Sequence, residues 1–460
     1  MVQKNRSNGD PPTGPKKRRR VGFSAIDAGV DASECIKIYL VSSKEELGAL
    51  DGCCINPVDL NSFFDKDGKI YGYKGLKINV WVSCISFHAY ADIIYESSSD
   101  GGKGITDLKS ALQRIFAETL VENKDDFLQT FSTQSDFVRN IVSNGEVLQP
   151  KAPNRLITKS NSDSEASTAD VEVVRLGIGN SIAGHLYSRL VPLVLLLIDG
   201  SNPIDVTDPG WELYLLIQQG PPCRLLGFSA VYRFYRYPDS SRLRLSQILV
   251  LPPYQHMGYG SYLVEVLNNV AISENVYDLT VEEPLEYFQH IRTCVDIHRL
   301  LTFEPIQQAI ISAVLSLKHG KLSKKSNTPR FMPPSNAVED VRKILKINKK
   351  QFLKCWEVLI YLGLDPVDKY LEDYIIIISN HVKADILGKD SVAAGKRLVD
   401  IPSDHDPEMS FVMFNSHDGE ASSIQMDENQ ANQREQLQQL VDERVREIKS
   451  VAQKADSNPK

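Results

Sequence analysis

The feature that most constrains the fold is a strand, a tight turn and a helix that follow one another near the middle of the chain. Residues 243–251 have the apolar content of a buried strand, and Pro252 and Pro253 end it. Gly258 and Gly260 come next, followed by apolar residues with helical spacing. A helix start without bulky side chains offers unpaired N–H groups and a positive dipole end. The sequence therefore predicts a sheet, a helix packed on it, and a site for a bulky anion where the helix begins.

Two residues that are absent from the turn limit the type of anion that it can bind. A P-loop requires Gly-Lys-Ser/Thr, and this turn has no lysine. A dinucleotide-binding motif requires a third glycine, but Leu263 stands at that position. The turn therefore supports neither ATP nor NAD. Its pattern from Gln255 to Gly260, Gln-x-x-Gly-x-Gly after a buried strand, resembles the pyrophosphate-binding motif of the GNAT superfamily of N-acetyltransferases, which hold acetyl-coenzyme A.

The resemblance extends to one family within that superfamily, the catalytic subunits of the type B histone acetyltransferases. The matching segments are residues 71–78, 231–239, 246–255, 278–284 and 346–351. Together they cover about residues 35–385 in the family's order. The resemblance implies an α+β fold, in which a central GNAT-type mixed sheet with flanking helices lies between an N-terminal α+β domain and a C-terminal helical domain. It also implies acetyl-coenzyme A as co-substrate and no metal ion.

The resemblance places the co-substrate along the strand and the turn. Backbone N–H groups of the strand, beside the exit made by the two prolines, would hold the acetyl carbonyl and the pantetheine. The helix start would hold the pyrophosphate. The predicted cofactor-binding residues are Ile248, Leu249, Val250, Gln255, His256, Met257, Gly258, Tyr259, Gly260 and Ser261.

Acetyl transfer to an amine requires a base, because a lysine with a pKa of ~10.4 is protonated at pH 7, a handicap of roughly 4–5 kcal/mol. Glu282 and Glu283 follow the strand predicted at residues 277–281, and Pro284 prevents its continuation. Adjacent strand residues point to opposite faces, so one carboxylate of the two faces the cleft. The residues alone leave a solvated strand end open as the alternative. The resemblance implies that Glu282 is the general base, with Glu283 beside it as a second catalytic candidate.

A carboxylate at the end of an apolar helix is a further catalytic candidate. Asp199 follows the helix predicted to end near residue 198 and begins the sequence Asp-Gly-Ser-Asn-Pro. The residues themselves leave a turn former open as the alternative. The family carries a longer Glu at this place, so the resemblance implies a carboxylate that acts through water.

Residues 231–237 combine four aromatic side chains with two arginines. Such a combination also occurs in nucleic-acid sites, but a half-buried aromatic strand is the commoner explanation. In the family this region faces the histone tail, with an aromatic channel for the lysine side chain. The predicted substrate-binding residues are Ile198, Trp211, Tyr232, Arg233, Phe234, Asp65, Lys66 and Asp67. The last three align with an acidic patch for the basic tail, from which Lys66 and Gly68 depart.

Composition and periodicity divide the chain into segments. The predicted segments are a disordered basic tail (1–31), an N-terminal α+β domain (32–145), a linker (146–170), a GNAT acetyltransferase domain (171–318), a C-terminal helical domain (335–395) and a polar tail with an amphipathic helix (396–460). Within the first domain, residues 127–143 are predicted to be helical. The amphipathic helix near the C-terminus is expected either to dock on a partner or to fold back.

Charge is distributed unevenly along the chain. The formal net charge is -7, yet residues 1–21, with seven Lys or Arg and one Asp, carry +6, which leaves -13 for the rest. The basic run of Lys16, Lys17, Arg18, Arg19 and Arg20 resembles a nuclear localisation signal bound by importin; a solvated or nucleic-acid-binding tail is the alternative. The acidic remainder suits a basic substrate. The longest apolar run, residues 190–198, is too short to span a bilayer, and the seven cysteines are expected to be reduced.

The resemblance thus implies a histone acetyltransferase that acts on the free, newly synthesised histone H4 tail by direct attack in a ternary complex. Its expected partners are the H4 tail, a WD-repeat histone-binding chaperone and importin, with no membrane and no direct DNA binding. The expected location is the nucleus and cytoplasm. Two alternatives remain at this point: a non-catalytic scaffold that binds coenzyme A and histones, and a GNAT enzyme that acetylates another amine.

Overall fold

The computed structural model describes residues 28–47, 53–64, 68–100, 102–149, 171–179, 181–319, 331–364, 368–387 and 423–456. These residues form two compact units. The first contains the described residues up to Ser132 and the segment Leu195–Leu197; the second contains those from Thr133 to Val194 and from Ile198 onward. In the described ranges no single helix is long and apolar enough to cross a membrane; Glu286–Leu301 and Glu304–Lys318 meet that test only as a pair, across an 85° bend.

The first unit is built on a five-stranded mixed sheet. The unit's strands are β1 (Val30–Asp31), β2 (Ile36–Val41), β3 (Cys53–Ile55), β4 (Lys69–Ile70), β5 (Tyr73–Lys74), β6 (Lys77–Ser83), β7 (Ala89–Ile94), β8 (Ser97–Ser98) and β9 (Leu120–Val121); its helices are α1 (Ala32–Cys35), α2 (Leu108–Phe116) and α3 (Lys124–Thr133). The sheet has the order β3-β2-β6-β7-β9. Strand β2 is parallel to β6, and β6 is antiparallel to β7.

Aromatic residues in register across this sheet form part of the first unit's core. Tyr39, Trp81 and Tyr90 are neighbours on β2, β6 and β7. The Trp81 ring stacks on the other two at centroid distances of 6.2 Å and 6.0 Å. Phe127 and Phe131 of α3 pack in the same cluster. Because cross-strand aromatic pairs stabilise one pairing over its neighbours, this row helps to fix the register of the three strands.

The second unit is built on a six-stranded sheet whose strands follow one another in chain order. Its strands are β10 (Glu146–Gln149), β11 (Val171–Gly177), β12 (Trp211–Gln218), β13 (Arg224–Arg236), β14 (Ser240–Val250) and β15 (Leu279–Val281); its helices are α4 (Phe137–Val142), α5 (Ser181–Leu197), α6 (Tyr259–Ser273), α7 (Glu286–Leu301), α8 (Gln307–His319), α9 (Ser335–Asp340), α10 (Lys349–Leu362), α11 (Asp368–Leu387) and α12 (Ser423–Asp456). Of α5, Leu195–Leu197 belong to the first unit. Each successive pair from β10 to β14 is antiparallel, and β15 is parallel to β14.

The predicted central motif is present, and the α+β fold class with a mixed sheet and flanking helices is confirmed. Helix α6 buries its apolar stripe, including Leu263 and Leu267, against Leu243 and Leu245 of β14. Each of these four side chains is 2 % exposed or less. The helix is therefore held against the sheet, with its first turn beside the end of β14.

Helices α7, α8, α10, α11 and α12 share one apolar core. Val441, Ile448 and Val451 of α12 are 1 %, 2 % and 1 % exposed. The C-terminal amphipathic helix thus folds back, which is one of the two outcomes expected for it. An ion-pair cluster joins three of these helices, because Glu357 of α10 accepts hydrogen bonds from Arg444 of α12 and pairs with His381 of α11, at 2.9 Å and 3.0 Å.

A short segment before α10 covers the outer edge of β15. Ile347 bridges to Leu279 in parallel orientation, and the Leu279 N–H donates to the Lys346 carbonyl at 2.9 Å. Asn348 caps α10 by accepting from the Gln351 N–H at 2.9 Å, and its Nδ2 donates to the Leu279 carbonyl at 3.2 Å. Strand β15 therefore has a neighbour on both sides.

The division of the chain differs from the predicted segments in four places. The predicted helix at 127–143 is two helices, α3 and α4, and the boundary between the units falls at Ser132, because Phe127 and Val138 pack in different units. The predicted linker begins with β10, which pairs with β11. The C-terminal helices belong to the same compact unit as the six-stranded sheet. Of the predicted disordered tail, 1–27 lie outside the described residues, while Val30 and Asp31 pair with β4.

Candidate active site

A bulge in β14 organises the site. Ala230 of β13 pairs with Gln247, but the next residue, Val231, pairs with Leu245, so Ser246 is an extra residue in the strand. The bulge changes which positions face α6. Leu245 before it and Ile248 after it, three residues apart instead of two or four, both pack against the core of α6.

Beyond the bulge, β14 and β15 separate. Their pairing ends at Leu245 and Val281, and the last contact is the Glu282 N–H to the Leu245 carbonyl at 2.9 Å. The Leu251 N–H donates to β13, to the Leu226 carbonyl at 2.9 Å. Backbone groups alternate in direction along a strand, so the N–H and carbonyl groups of Ile248 and Val250 point away from β13. They point to the edge of β14 that β15 no longer pairs with.

Of the three predicted strand residues, Ile248 and Val250 therefore direct their backbone groups toward this open edge, whereas Leu249 directs its own to β13. The Leu249 side chain is 6 % exposed, so it belongs to the core. At the open edge, Gln255 Nε2 donates to the Val250 carbonyl at 2.9 Å. The Ile248 and Val250 N–H groups are the donors that the edge offers to an extended chain with amide carbonyls.

The turn and the first turn of α6 continue from this edge. Gly258 is the residue before α6 and has a φ of 88°, the left-handed region that glycine adopts without strain. The first N–H groups of α6 have no carbonyl of a preceding turn to bond. A Cβ built at Gly260 meets only Ile291 Cδ1, at 3.8 Å, so packing within the chain does not require glycine there. The residues present fit a pyrophosphate, because small residues and free N–H groups coincide at a helix start.

Glu282 lies directly after β15 and is exposed. Ser246 Oγ, on the bulge, donates to Glu282 Oε2 at 2.5 Å. With its N–H bonded to Leu245, Glu282 is thus held to β14 by both backbone and side chain. Glu283 is also exposed, and its φ of 33° shows that the chain turns there. The two adjacent carboxylates are therefore held differently, and it is Glu282 that contacts the strand with the open edge.

Asp199 is exposed just after α5. The loop that follows it is tied to the bulge by hydrogen bonds that centre on the buried side chain of Gln247. Gln247 Nε2 donates to the Asn202 carbonyl at 2.6 Å and to Ser201 Oγ at 3.1 Å. Tyr187 Oη donates to Gln247 Oε1 at 2.8 Å and accepts from the Ile204 N–H at 3.0 Å. The loop after Asp199 is therefore positioned by the residue next to Ser246.

The three predicted substrate-binding aromatics form one cluster of edge-on and tilted rings. The Tyr232 ring lies 5.0 Å from that of Trp211 and 4.5 Å from that of Phe234, between centroids. A hydrogen bond to Asp208 raises the pKa of Tyr232. Ile198 is half-buried at the end of α5.

Arg233, in contrast, is separated from these aromatics. Because side chains alternate between the two faces of a strand, the Arg233 side chain lies on the face of the sheet against which α6 packs. There it donates to Glu212 Oε1 and to Glu274 Oε2, each at 2.7 Å. Its guanidinium is therefore committed to ion pairs within the protein. Asp65, Lys66 and Asp67, and the basic run at 16–20, lie outside the described residues.

Comparisons with known proteins decide the family. Residues 28–199 match the family model described as Histone acetyl transferase HAT1 N-terminus. The chain is 63% identical over 465 residues to the histone acetyltransferase type B catalytic subunit of Arabidopsis thaliana, covering 100% of this chain and 99% of that protein. The chain belongs to the type B histone acetyltransferase catalytic subunits. The protein of the same name from Zea mays is 48% identical over 458 residues, covering 97% of this chain and 95% of its own.

Some solved structures are similar to part of this type B subunit. One is an aminoglycoside acetyltransferase from an uncultured soil metagenomic sample, with 14% identity and a TM-score of 0.22, covering 29% of this chain and 88% of that one. Another is a ribosomal-protein-alanine N-acetyltransferase from Brucella melitensis, with 17% identity and a TM-score of 0.21, covering 25% and 82%.

Residues that the sequence reasoning missed lie at the centre of this type B site. Ser246 and Gln247 contact the two candidate carboxylate segments, and Asp208 holds Tyr232. The signal that could have found the first two is a polar Ser-Gln pair inside an otherwise apolar strand end. Within the described part of the chain, no group of three or more His, Cys, Asp or Glu side chains is arranged to hold a metal ion.

Proposed function

We propose that this protein transfers the acetyl group of acetyl-coenzyme A to the lysine ε-amine of free, newly synthesised histone H4 tails, by direct attack in a ternary complex. The observation that carries the proposal is the position of Glu282, which is hydrogen-bonded to β14 where that strand's open edge begins. A proton acceptor thus stands beside the donors that would hold a thioester. Membership of the type B family supports the choice of histone as substrate.

In this proposal the open edge of β14 holds the pantetheine arm, through the N–H groups of Ile248 and Val250. The first turn of α6, with Gly258 and Gly260, holds the pyrophosphate. When bound, the co-substrate supplies an activated acetyl thioester. A backbone N–H that bonds the acetyl carbonyl stabilises the negative charge that develops there during attack.

Glu282 acts on the acceptor amine. It takes a proton from the ammonium, and the neutral amine attacks the thioester carbonyl. The new C–N bond forms and the C–S bond breaks, the proton that the attacking nitrogen loses goes to the leaving sulfur, and Glu282 returns its own proton to solvent. Since a free lysine is protonated at neutral pH, the base removes a handicap of roughly 4–5 kcal/mol. Asp199 is proposed as an auxiliary carboxylate that acts through water.

The cluster of Trp211, Tyr232 and Phe234 supports a channel for the lysine's methylene groups, because apolar rings contact an alkyl chain well while its charged end stays solvated. The formal charge of -13 outside the first 21 residues supports attraction of a basic tail. Arg233 has no part in this contact.

The test is a direct assay. The full-length protein, acetyl-coenzyme A and a free H4 tail peptide are expected to yield peptide acetylated on lysine ε-amines, mapped by mass spectrometry. Nucleosomes and a small polyamine, at equal amine concentration, are the comparison substrates and are expected to react far more slowly. Coenzyme A binding without any acetylated product would favour the scaffold instead, and preferential acetylation of the polyamine would favour an enzyme for another amine.

We further propose that residues 16–20 are an importin-binding signal and that the protein works in nucleus and cytoplasm with a WD-repeat histone chaperone. The unbroken basic block after Pro15 supports the first point. A fluorescent fusion that lacks Lys16 to Arg20 is expected to move to the cytoplasm, measured as the nuclear-to-cytoplasmic ratio. Deletion of 5–9 is the matched control. An unchanged ratio would remove the basic block from the import role.

A further inference from the structure

The bulge residues Ser246 and Gln247 send their side chains to different parts of the site. Ser246 Oγ reaches Glu282 Oε2 at 2.5 Å. Gln247, 3 % exposed, bonds Tyr187 and the loop at Ser201 and Asn202. A bulge re-aims a side chain that regular pleating would place elsewhere. Here it allows one strand to contact the carboxylate of Glu282 on one side and the loop after Asp199 on the other.

Glu282 is an exposed side chain beyond the end of a three-residue strand. A glutamate in such a place has three rotatable side-chain bonds and samples many orientations, and each one outside the productive geometry lowers the rate. The hydrogen bond from the Glu282 N–H to the Leu245 carbonyl fixes the position of the Glu282 backbone, but not the orientation of its carboxylate. The hydroxyl of Ser246 supplies that second point of attachment.

We propose that Ser246 is a positioning residue that orients the carboxylate of Glu282 for proton removal from the acceptor amine. This inference rests on the proposed role of Glu282. Ser246 donates its hydroxyl hydrogen to Oε2, and Oε1 accepts the amine proton. Ser246 itself exchanges no proton with the substrate, so its contribution is to the rate of the bound complex and not to substrate affinity.

The anchoring of the bulge supports this role. The buried Gln247 uses its amide oxygen for the buried Tyr187 and its amide nitrogen for two acceptors on the partly exposed loop at residues 201–202. Hydrogen bonds made by a buried polar side chain fix a backbone in one arrangement. The preceding residue, Ser246, therefore presents its hydroxyl from a rigid strand, which is what a positioning group requires.

The first part of the test compares three variants of the full-length protein. Ser246→Ala is expected to lower kcat for tail acetylation about ten-fold, as expected for one charge-assisted hydrogen bond, with KM for both substrates within about two-fold of wild type. Ser246→Thr keeps the hydroxyl and suits a strand, so it is expected to recover most of the rate. Ser240→Ala, at the start of the same strand, is the matched control and is expected to keep the wild-type rate.

The second part places Ser246→Ala in the Glu282→Gln background. If Ser246 acts through Glu282, the double variant has the same rate as Glu282→Gln alone, because the two effects share one mechanism. Equal ten-fold losses in both backgrounds would overturn the positioning role, as would a loss confined to KM, a lowered melting temperature, or no recovery with Thr. A wild-type rate for Glu282→Gln would instead overturn the proposed base, and this inference with it.

Discussion

Replacing Glu282 with Gln is expected to lower kcat for acetylation of the H4 tail peptide by at least about 10²-fold, the lower end of what general-base catalysis contributes. The substitution keeps the shape of the side chain and the hydrogen-bond acceptor for Ser246, but removes the proton-accepting charge. Because Glu282 is exposed, the fold does not depend on this charge. Steady-state kinetics at saturating acetyl-coenzyme A measure the effect, and calorimetry with coenzyme A verifies that binding is unchanged.

The pH dependence sharpens this prediction. A lysine loses its own proton as the pH approaches ~10.4, so the need for a base declines. The ratio of wild-type to variant rates is therefore expected to shrink as the pH is raised from 7 toward 10. Glu286→Gln is the matched control, since it is an exposed glutamate four residues further on, at the start of α7, and it is expected to retain nearly the full rate. Equal rates for Glu282→Gln and Glu286→Gln would assign proton removal to another group.

Replacing Glu357 with Ala is expected to destabilise the second unit by about 3–5 kcal/mol, because the change leaves the largely buried Arg444 guanidinium with only the more exposed Glu447 as a carboxylate partner. Burial by itself raises the pKa of the Glu357 carboxyl, but His381 and Arg444 outweigh this, and the pKa lies below its usual value of 4.5. A lowered folded-state pKa gives stability that is present above pH 4.5 and is lost as the pH falls through the folded value.

Denaturant unfolding at pH 7 followed by circular dichroism measures this effect, and the difference between wild type and variant is expected to diminish below about pH 4.5. Glu443→Ala is the matched control on α12, since its pair with Arg446 has side chains 59% and 74% exposed and its loss is expected to cost less than about 1 kcal/mol. Similar losses for the two variants would show that the buried cluster does not hold α10, α11 and α12 together.

The central motif could be predicted because its signals are local. Proline after a buried strand, two glycines and an apolar stripe are enough to place β14 and α6 within a few residues of their observed bounds. The C-terminal helix was recognised by its spacing in the same way. Its docking surface was not predictable, since the core that accepts Val441 and Ile448 is assembled from four helices distant in sequence.

The details of the site escaped prediction for a geometric reason. Period-two alternation separates Arg233 from Tyr232 and Phe234, so the arginine belongs to the ion pairs on the other face. The turn of the chain at Glu283, and not alternation, separates its side chain from that of Glu282. The bulge has no comparable local signal. The extra residue reverses the direction of the backbone groups at every position after Ser246. The backbone groups of Leu249 therefore face β13, and those of Ile248 and Val250 face the open edge.

The cover on the outer edge of β15 has a consequence for how the chain acquires its structure during synthesis. The strand that precedes Glu282 has only three residues, and its outer partner, Ile347, is encoded far downstream. Until Lys346 and Asn348 have been synthesised, the Leu279 N–H and carbonyl lack the hydrogen bonds that these two residues make to them. The sheet and the helices after it are therefore expected to complete their folding together, and a fragment cut at residue 318 carries every residue of the candidate site without the segment that pairs with the strand before Glu282.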